Sequence, residues 1–284
     1  MMVKKNGSIL IILIISLLLN ISFALLHFVP KSEDRTAKEE KAVDISDRIA
    51  APIGLIRSDS TAVLLTIGQS NAASCGQGEY ICRNKVYEFY NERLFISHEP
   101  LLGDIGNGGC SVWTRVADML IDSGYYRRVI LISAAIGGTP IKCWDQGPCA
   151  VKLKTTLEMI SRSGLRPTHV IWHQGESDNL ENTSKVKYKS SLGAVVNQIR
   201  NAGIAAPFFV CVASYHPFTI GNKKDGLDIN IRQAQLEFIN ETPGVKPGPD
   251  TDQLKLASDR YDGVHFSITG LDKFASGLYQ SLSK

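Results

Sequence analysis

The architecture of this chain follows from one stretch, Ala62-Val63-Leu64-Leu65-Thr66-Ile67-Gly68-Gln69-Ser70-Asn71. Its first six residues are mostly apolar and rich in β-formers, which predicts a buried strand that stops at the glycine. Open α/β proteins build their sites at the carboxyl edge of such a sheet, so the Ser70 hydroxyl lies where a nucleophile is expected. A second interpretation is that Ser70 and Asn71 cap a following helix.

Residues 1–29 are predicted to be a membrane anchor or a signal peptide. Lys4 and Lys5 precede an apolar stretch, residues 9–29, that is about long enough to cross a bilayer as a helix. Because the positive residues lie on its N-terminal side, the rest of the chain is expected outside the cytoplasm, periplasmic or secreted. An uncleaved segment would anchor the protein to the inner membrane. The competing interpretation is cleavage at the small-x-small site Ser22-Phe23-Ala24.

The remaining chain divides into a linker and one domain. Residues 30–57 are rich in Lys, Glu, Asp and Ala, which predicts a solvated polar linker. Residues 58–284 are enough for one domain with a sizeable core. The net charge of +3, with no basic cluster interleaved with aromatic residues, argues against nucleic acid as a partner.

The cysteine content fits an exported chain, in which disulfides form. The six cysteines are Cys75, Cys82, Cys110, Cys143, Cys149 and Cys211. Close spacing favours a disulfide between Cys75 and Cys82 and another between Cys143 and Cys149, although other pairings are possible. Paired Cys-x-x-Cys or His motifs are missing from the sequence, so no zinc site is expected.

Strand and helix patterns alternate along the domain. Short runs rich in Val and Ile occur at 62–67, 129–134, 169–172 and 208–213. Helical patterns lie at 112–123, 151–163, 185–202, 228–240 and 267–281. This alternation predicts a three-layer α/β/α domain with a parallel sheet and right-handed crossovers. An excursion at 85–98 has two β-like segments around Asn91-Glu92, which predicts a hairpin.

A serine nucleophile needs a base, and the base needs a carboxylate that holds its tautomer. Asp262-Gly263-Val264-His265 offers both just before the last helical pattern. Because loops after parallel strands emerge at one edge of the sheet, His265 is expected to face Ser70 through Nε2 while Asp262 contacts Nδ1. The alternative is that Asp262 only forms a turn and that His265 starts the helix.

The charge that develops on the carbonyl oxygen needs hydrogen-bond donors. Three candidates follow strands of the predicted sheet. They are the Ser70 backbone N–H, the N–H of Gly137 or Gly138, and the side-chain amide of Gln174. For each of them a purely structural role is equally compatible with the sequence.

Other polar residues are candidates for supporting the site or contacting substrate: Asn71, Glu176, Asp178 and Arg115. Glu176 and Asp178 either organise the oxyanion loop or cap the following helix. Arg115 either contacts a substrate carboxylate or lies on a solvated helix face, and the latter is expected. Trp113 and Trp144 either stack on a sugar ring or pack in the core, which is the commoner fate of tryptophan.

Four blocks in this order resemble the SGNH hydrolases: Gly68-Gln69-Ser70-Asn71, Ala135-Ile136-Gly137-Gly138-Thr139-Pro140-Ile141, Trp172-His173-Gln174-Gly175-Glu176-Ser177-Asp178 and Asp262-Gly263-Val264-His265. More narrowly they resemble the branch that contains sialate O-acetylesterases and family 6 carbohydrate esterases. The resemblance implies a flavodoxin-like sheet, deacetylation of a glycan and a Ser70–His265–Asp262 triad. Gln174 stands where other SGNH enzymes have an asparagine, as in that branch. Ala72 departs from the methionine that relatives often have.

The expected function is an exported serine esterase that removes O-acetyl groups from a carbohydrate, either sialic acid or another glycan. Its chemistry requires no metal or organic cofactor. One alternative is an O-acyltransferase that uses the same triad on an envelope glycan, with a sugar hydroxyl intercepting the acyl-enzyme instead of water. Another is a catalytically silent glycan-binding module of the same fold.

Overall fold

A single eight-stranded sheet organises the part of the chain that the computed structural model describes, residues 44–56, 60–218 and 224–283. The predicted hydrophobic segment 1–29 lies outside the described residues, and so does the linker up to residue 43. Among the helices of the described ranges, none is long and apolar enough to cross a membrane.

The sheet is mostly parallel and has a flavodoxin-like centre. Its strands are β1 (Ala50–Ala51), β2 (Thr61–Gly68), β3 (Val86–Tyr90), β4 (Arg93–Ile96), β5 (Arg128–Ser133), β6 (His169–His173), β7 (Phe208–Val212) and β8 (Val245–Asp250). Their spatial order is β1-β4-β3-β5-β2-β6-β7-β8. The β1–β4 and β4–β3 pairs are antiparallel, and every pair from β3 to β8 is parallel. Within this order, β5-β2-β6-β7-β8 is the strand order of flavodoxin. The chain adds strands on one side of β2 first and then on the other side, so the strand order reverses between β2 and β6.

Helices cover both faces of the sheet. They are α1 (Trp113–Asp122), α2 (Ile141–Gln146), α3 (Pro148–Ser163), α4 (Glu176–Glu181), α5 (Lys185–Asn201), α6 (Ile229–Glu241) and α7 (Ile268–Leu282), with short 3-10 turns at Ile53–Ile56, Lys224–Gly226 and Thr251–Gln253. Helices α1 and α7 pack in one apolar core, whereas α2, α3, α5 and α6 pack in the other. Successive residues of β2 alternate between the cores, Leu64 in the first and Leu65 in the second, because strand side chains alternate in direction. The predicted three-layer α/β/α class is therefore confirmed.

The central strands were predictable because they are buried on both faces. All eight residues of β2 are buried, which explains their nearly continuous apolar sequence. The predicted hairpin is also present as β3 and β4, joined at Asn91 and Glu92, whose φ angles of 47° and 59° are those of a tight hairpin turn.

The edge strands of the sheet were not predicted from the sequence. β8 reads Val-Lys-Pro-Gly-Pro-Asp, a composition typical of a loop. Its prolines are tolerated because β8 is an edge strand with one neighbour, β7. The helix predicted at 151–163 begins earlier, at Pro148, and a separate short helix, α2, precedes it.

The linker boundary at residue 57 is contradicted by residues 44–56. Ala50 and Ala51 pair with β4 as the outermost strand. The Arg48 guanidinium lies 2.9 Å from the carboxylate of Glu88, and both side chains are buried. The polar composition of this segment predicted a solvated linker because the sequence does not show that the charge of Arg48 has a partner on a distant strand.

One of the two predicted disulfides is present. Cys143 and Cys149 are bonded and join α2 to α3, which confirms that pairing. The predicted pairing of Cys75 with Cys82 is wrong, since neither sulfur is in a disulfide. The segment is held by other partners. Gln77, inside the loop, donates its N–H to the Phe266 carbonyl oxygen, and Arg83, directly after Cys82, donates its N–H to the Asp118 carboxylate.

Candidate active site

The carboxyl ends of β2 and β6 meet where the sheet order reverses, the place at which open α/β folds bind ligands. Gly68 ends β2 with a φ of +147°, and a Cβ at this position would lie 1.9 Å from the His173 carbonyl oxygen. A glycine is therefore required here, because the two strand ends approach too closely for any side chain. Ser70 leaves the sheet two residues later.

Ser70 lies in a tight turn. The Ala73 N–H donates to the carbonyl oxygens of both Gln69 and Ser70, at 2.9 and 3.1 Å. The next helix along the chain begins only at Trp113, so the interpretation of this turn as a helix cap is wrong. Ser70 is 6% exposed, and its hydroxyl has no hydrogen-bond partner among the described residues. Contacts of a nucleophile often tighten only in the substrate complex.

Asp262 and His265 face each other across a turn. One carboxylate oxygen of Asp262 accepts from the N–H groups of Val264 and His265, at 2.8 and 2.6 Å, and the other lies 2.6 Å from His265 Nδ1. Burial raises the pKa of Asp262, but the hydrogen bonds from His265 and Val264 outweigh burial and hold this pKa below its usual value. The ionised carboxylate favours the tautomer with hydrogen on Nδ1, which leaves Nε2 as the basic nitrogen. Helix α7 begins later, at Ile268.

Asn71 ties the histidine segment to the serine turn. Its side-chain Nδ2 donates to Glu176 Oε1 at 2.9 Å and to the Val264 carbonyl oxygen at 3.2 Å. Its Oδ1 accepts from the Phe266 N–H at 3.3 Å. The residues on both sides of His265 are thus bonded to the neighbour of Ser70. The predicted supporting residues Asn71 and Glu176 therefore lie together, and both are buried.

Arg260 is a supporting residue that the sequence motifs do not include. It is 3% exposed, and its guanidinium donates to the carbonyl oxygens of Leu254, Thr251 and Val264. Burial lowers the pKa of Arg260, and no nearby carboxylate is bonded to it in the described ranges. A buried arginine bound to backbone carbonyls fixes the loop from which the Asp262 turn begins. Its role rests on tertiary contacts, and no local pattern would have indicated it.

The loop after β5 lies directly beside Ser70. A Cβ on Gly137 would lie 3.6 Å from the Ser70 Cβ. The Gly137 N–H already donates to the Ile105 carbonyl oxygen at 2.7 Å. Among the described residues, neither the Ser70 N–H nor the Gly138 N–H has a partner. Of the two glycines considered from sequence, Gly138 therefore retains a donor that can serve an oxyanion.

Gln174 is buried, and its amide is committed to protein groups. Its Nε2 lies 3.2 Å from Gln69 Oε1, 3.1 Å from the Thr139 carbonyl oxygen and 2.5 Å from Asp178 Oδ2. Three acceptors around one nitrogen fix the orientation of the amide. In this arrangement Gln174 joins the loops that follow β2, β5 and β6.

Asp178 supports the same loops. Burial raises the pKa of Asp178 to about 6, against hydrogen bonds that lower it. Its Oδ2 accepts from the Ile141 N–H, at the start of α2, at 2.7 Å. Asp178 thus caps a neighbouring helix instead of the one that it belongs to.

Buried polar atoms without partners cluster in the segment after β6. In the described part of the chain they include His173 Nδ1, Gln174 Oε1, Glu176 Oε2 and Asp178 Oδ1. Burial lowers the pKa of His173, so that its imidazole is neutral, and the ring packs against Phe274. Buried polar groups of this kind usually bind internal water.

Arg115 lies away from the site. It is 4% exposed, so the expected solvated helix face is wrong for this residue. Its Nε lies 3.0 Å from Asp272 Oδ1, and its guanidinium covers the ring of Tyr80 at 4.5 Å. Arg115 therefore joins α1 to α7, and its charge is already paired.

Two carboxylates, of Glu99 and Asp104, lie within hydrogen-bond distance of the Ser74 hydroxyl in the segment that leads to Ile105. Asp104 accepts hydrogen bonds from the hydroxyls of Ser74, at 2.9 Å, and Ser133. Burial raises the pKa of Asp104 to about 7, and the nearby charge of Glu99 adds to this increase. The described residues hold no cluster of three His, Cys, Asp or Glu side chains that could bind a metal ion.

Similar solved structures share this fold. A protein from Arabidopsis thaliana is 20% identical, with 79% of this chain and 98% of that chain covered and a TM-score of 0.64. NanS is 14% identical, with coverages of 79% and 97% and a TM-score of 0.60. A carbohydrate acetylesterase from Xanthomonas citri is 18% identical, with coverages of 78% and 55% and a TM-score of 0.55. At these identities the similarity establishes the fold alone, which is that of the SGNH hydrolases.

The sequence assigns the family. Residues 60–284 match the family described as carbohydrate esterase, sialic acid-specific acetylesterase. The chain belongs to this family and is accordingly a carbohydrate acetylesterase of the serine hydrolase type. No curated protein sequence matches the chain significantly.

Proposed function

We propose that this protein removes O-acetyl groups from a glycan with Ser70 as nucleophile, His265 as base and Asp262 as the carboxylate that orients it. The observation that carries the proposal is the Asn71 link. Asn71 directly follows Ser70, and its side chain bonds to Val264 and Phe266, the residues on either side of His265. Asp262 lies 2.6 Å from His265 Nδ1.

The reaction proceeds through an acyl-enzyme. The Ser70 oxygen forms a bond to the acetyl carbonyl carbon, and the Ser70 proton moves to His265 Nε2. The bond between that carbon and the sugar oxygen then breaks, and the imidazolium gives its proton to the leaving sugar oxygen, which becomes a free hydroxyl. Water then attacks the acetyl carbon with His265 again as base. The bond between that carbon and the Ser70 oxygen breaks, His265 returns the proton to Ser70, and acetic acid leaves and ionises to acetate. Asp262 stabilises the imidazolium in both steps.

The oxyanion is assigned to the N–H groups of Ser70 and Gly138, which have no partner among the described residues. Removal of one donor from an oxyanion hole lowers kcat by about a hundredfold to a thousandfold in serine hydrolases. Gln174 and Gly137 were also candidates. With their N–H groups already bonded to protein oxygens, we assign them to holding the loops that aim the two donors.

The decisive experiment replaces the nucleophile. Ser70→Ala should abolish hydrolysis of p-nitrophenyl acetate and labelling by a fluorophosphonate, with an unchanged melting temperature. Ser283→Ala, at the end of α7, is a matched control that should keep both activities. Hydrolysis by Ser70→Ala at the wild-type rate would contradict the assignment. Product analysis with an acetylated donor and a free sugar acceptor extends the test, because transfer exceeding hydrolysis would favour the acyltransferase alternative.

The sugar and the location are further parts of the proposal. The family description supports acetylated sialic acid as a substrate to test first, beside acetylated xylan oligomers and envelope glycans. The Cys143–Cys149 disulfide fits an extracytoplasmic location, in agreement with the charge pattern of residues 1–29. Acetate release from each glycan identifies the substrate, and fractionation of cells that express the full chain tests export.

A further inference from the structure

Tyr261 presents an aromatic face beside the candidate base. It directly precedes the Asp262 turn, and its N–H donates to the His265 carbonyl oxygen at 3.0 Å. Its ring is inclined by only 28° to the imidazole of His265, with the ring centres 6.1 Å apart. Tyr261 is nevertheless 42% exposed. An apolar surface therefore lies open to solvent next to the position where the alcohol of the ester must leave.

Hydrogen bonds hold the Tyr261 ring in place. Its hydroxyl accepts from Asn107 Nδ2 at 3.3 Å and donates to the Cys75 carbonyl oxygen at 3.4 Å. An aromatic side chain fixed at both its backbone and its hydroxyl loses little conformational entropy when a ligand binds. This distinguishes Tyr261 from an ordinary solvated tyrosine.

The same loop leads from Tyr261 back to the nucleophile. Asn107 is exposed and lies two residues after Ile105. Ile105 accepts a hydrogen bond from the Gly137 N–H, and Gly137 lies against Ser70. Residues 105–107 and Tyr261 therefore form a continuous rim from Ser70 to His265. An ester whose carbonyl carbon reaches Ser70 must place its alcohol portion along this rim.

We propose that Tyr261, together with Asn107, forms the subsite that binds the sugar ring of the ester, an inference that rests on the proposed esterase function. The face of a pyranose ring is lined by C–H groups, which pack on an aromatic face, while its hydroxyls require polar partners such as the Asn107 amide. The tryptophans considered from sequence do not serve this purpose, because Trp113 and Trp144 are fully buried. The subsite selects esters of cyclic sugars over esters of small open-chain alcohols.

The test compares two acetyl esters that differ in the alcohol. The substrates are a 6-O-acetylated methyl hexopyranoside and ethyl acetate, and the readout is the ratio of their kcat/KM values. Tyr261→Leu keeps an apolar contact with His265 but removes the aromatic face, and it should lower the ratio about tenfold. Tyr261→Phe keeps the ring and should lower it less. Tyr125→Leu is the matched control, an exposed tyrosine near the end of α1 that should leave the ratio unchanged.

Each outcome has a distinct meaning. A ratio in Tyr261→Leu that equals the wild-type ratio overturns the subsite, even when both rates fall together. If Tyr261→Leu does not fold, Asn107→Ala replaces it, and a ratio unchanged by that substitution overturns the subsite in the same way. Wild-type protein that cleaves neither ester contradicts the proposed function instead. Wild-type protein that cleaves only ethyl acetate contradicts both the carbohydrate substrate and its subsite.

Discussion

At the scale of single residues, the site depends on a side chain that performs no chemistry. Asn71 bonds to Glu176, Val264 and Phe266 at the same time, and it directly joins the serine turn to the histidine turn. An aspartate at this position would present acceptors to both Glu176 and the Val264 carbonyl oxygen. An asparagine has the donor and the acceptor that the three partners require.

We expect Asn71→Ala to lower kcat for p-nitrophenyl acetate by about tenfold or more, because His265 loses the bonds on both of its sides. The loss of these buried hydrogen bonds should also lower the free energy of unfolding by about 1–3 kcal/mol. Rates measured well below the melting temperature, per active site titrated with a fluorophosphonate, separate the two effects. Asn201→Ala, at the exposed end of α5, is the control. An unchanged kcat per titrated site would show that Asn71 does not position His265.

At the scale of elements, the close approach of β2 and β6 sets the position of Ser70, the proposed nucleophile. Gly68 and Gly175 both lie where a Cβ would be 1.9 Å from a backbone oxygen, of His173 and Ala213 respectively. These contacts are between backbone atoms, which cannot move aside as a flexible side chain would. The end of β2 can therefore lie against the end of β6 only with glycine at position 68, and the loop after β6 can lie against the loop after β7 only with glycine at position 175.

Two glycine substitutions should behave in opposite ways. Gly68→Ala should prevent folding or destabilise the protein severely, because the β2–β6 pairing would have to separate. Gly193→Ala lies inside α5, where the new Cβ would meet only a Phe238 ring atom at 3.7 Å. It should be neutral or raise the free energy of unfolding by about 0.5–1 kcal/mol. Thermal melts of both variants provide the comparison, and a Gly68→Ala protein with wild-type stability would contradict the geometry.

Elements were predictable where local and tertiary requirements agree. The strand from Thr61 to Gly68 is apolar because helices cover both faces, and the Asn91-Glu92 turn has the backbone that a two-residue hairpin needs. β8 was not predicted because two prolines in its sequence indicate a loop, whereas its pairing with β7 stabilises a strand. β1 was not predicted because two alanines are too few to show the alternating pattern of a strand.

At the scale of the whole molecule, buried carboxylates should make stability depend on pH. Burial raises the pKa of both Glu88 and Asp104 to about 7. These groups bind a proton in the folded state at pH values where the unfolded chain has already lost it. Their contribution is therefore fully present at acidic pH and is lost as the pH rises from about 4 towards 7.

Asp104→Asn tests this dependence. The amide resembles the protonated carboxyl and does not ionise, so the variant should keep its stability over the pH range in which the wild-type Asp104 carboxyl ionises. We expect the free energy of unfolding of Asp104→Asn, relative to wild type, to rise by about 2 kcal/mol between pH 5 and pH 8. Asn201→Ala, at the exposed end of α5, is the control and should show no such trend. A difference between Asp104→Asn and wild type that is constant with pH would contradict the raised pKa.

The motifs in the chain were sufficient to indicate the α/β class, the strand that leads to Ser70, the hairpin and the turn that carries Asp262 and His265. These features depend on hydrophobic pattern and on turn residues, both of which act over a few positions in sequence. The supporting contacts depend on packing between segments far apart in the chain. Three such features arise only when the loops meet at one edge of the sheet. They are the hydrogen bonds of Arg260 to three carbonyl oxygens, the hydrogen bonds of the Gln174 amide, and the fixed, exposed ring of Tyr261. Local sequence carries chemistry, whereas burial, donor availability and exposure are properties of the folded chain.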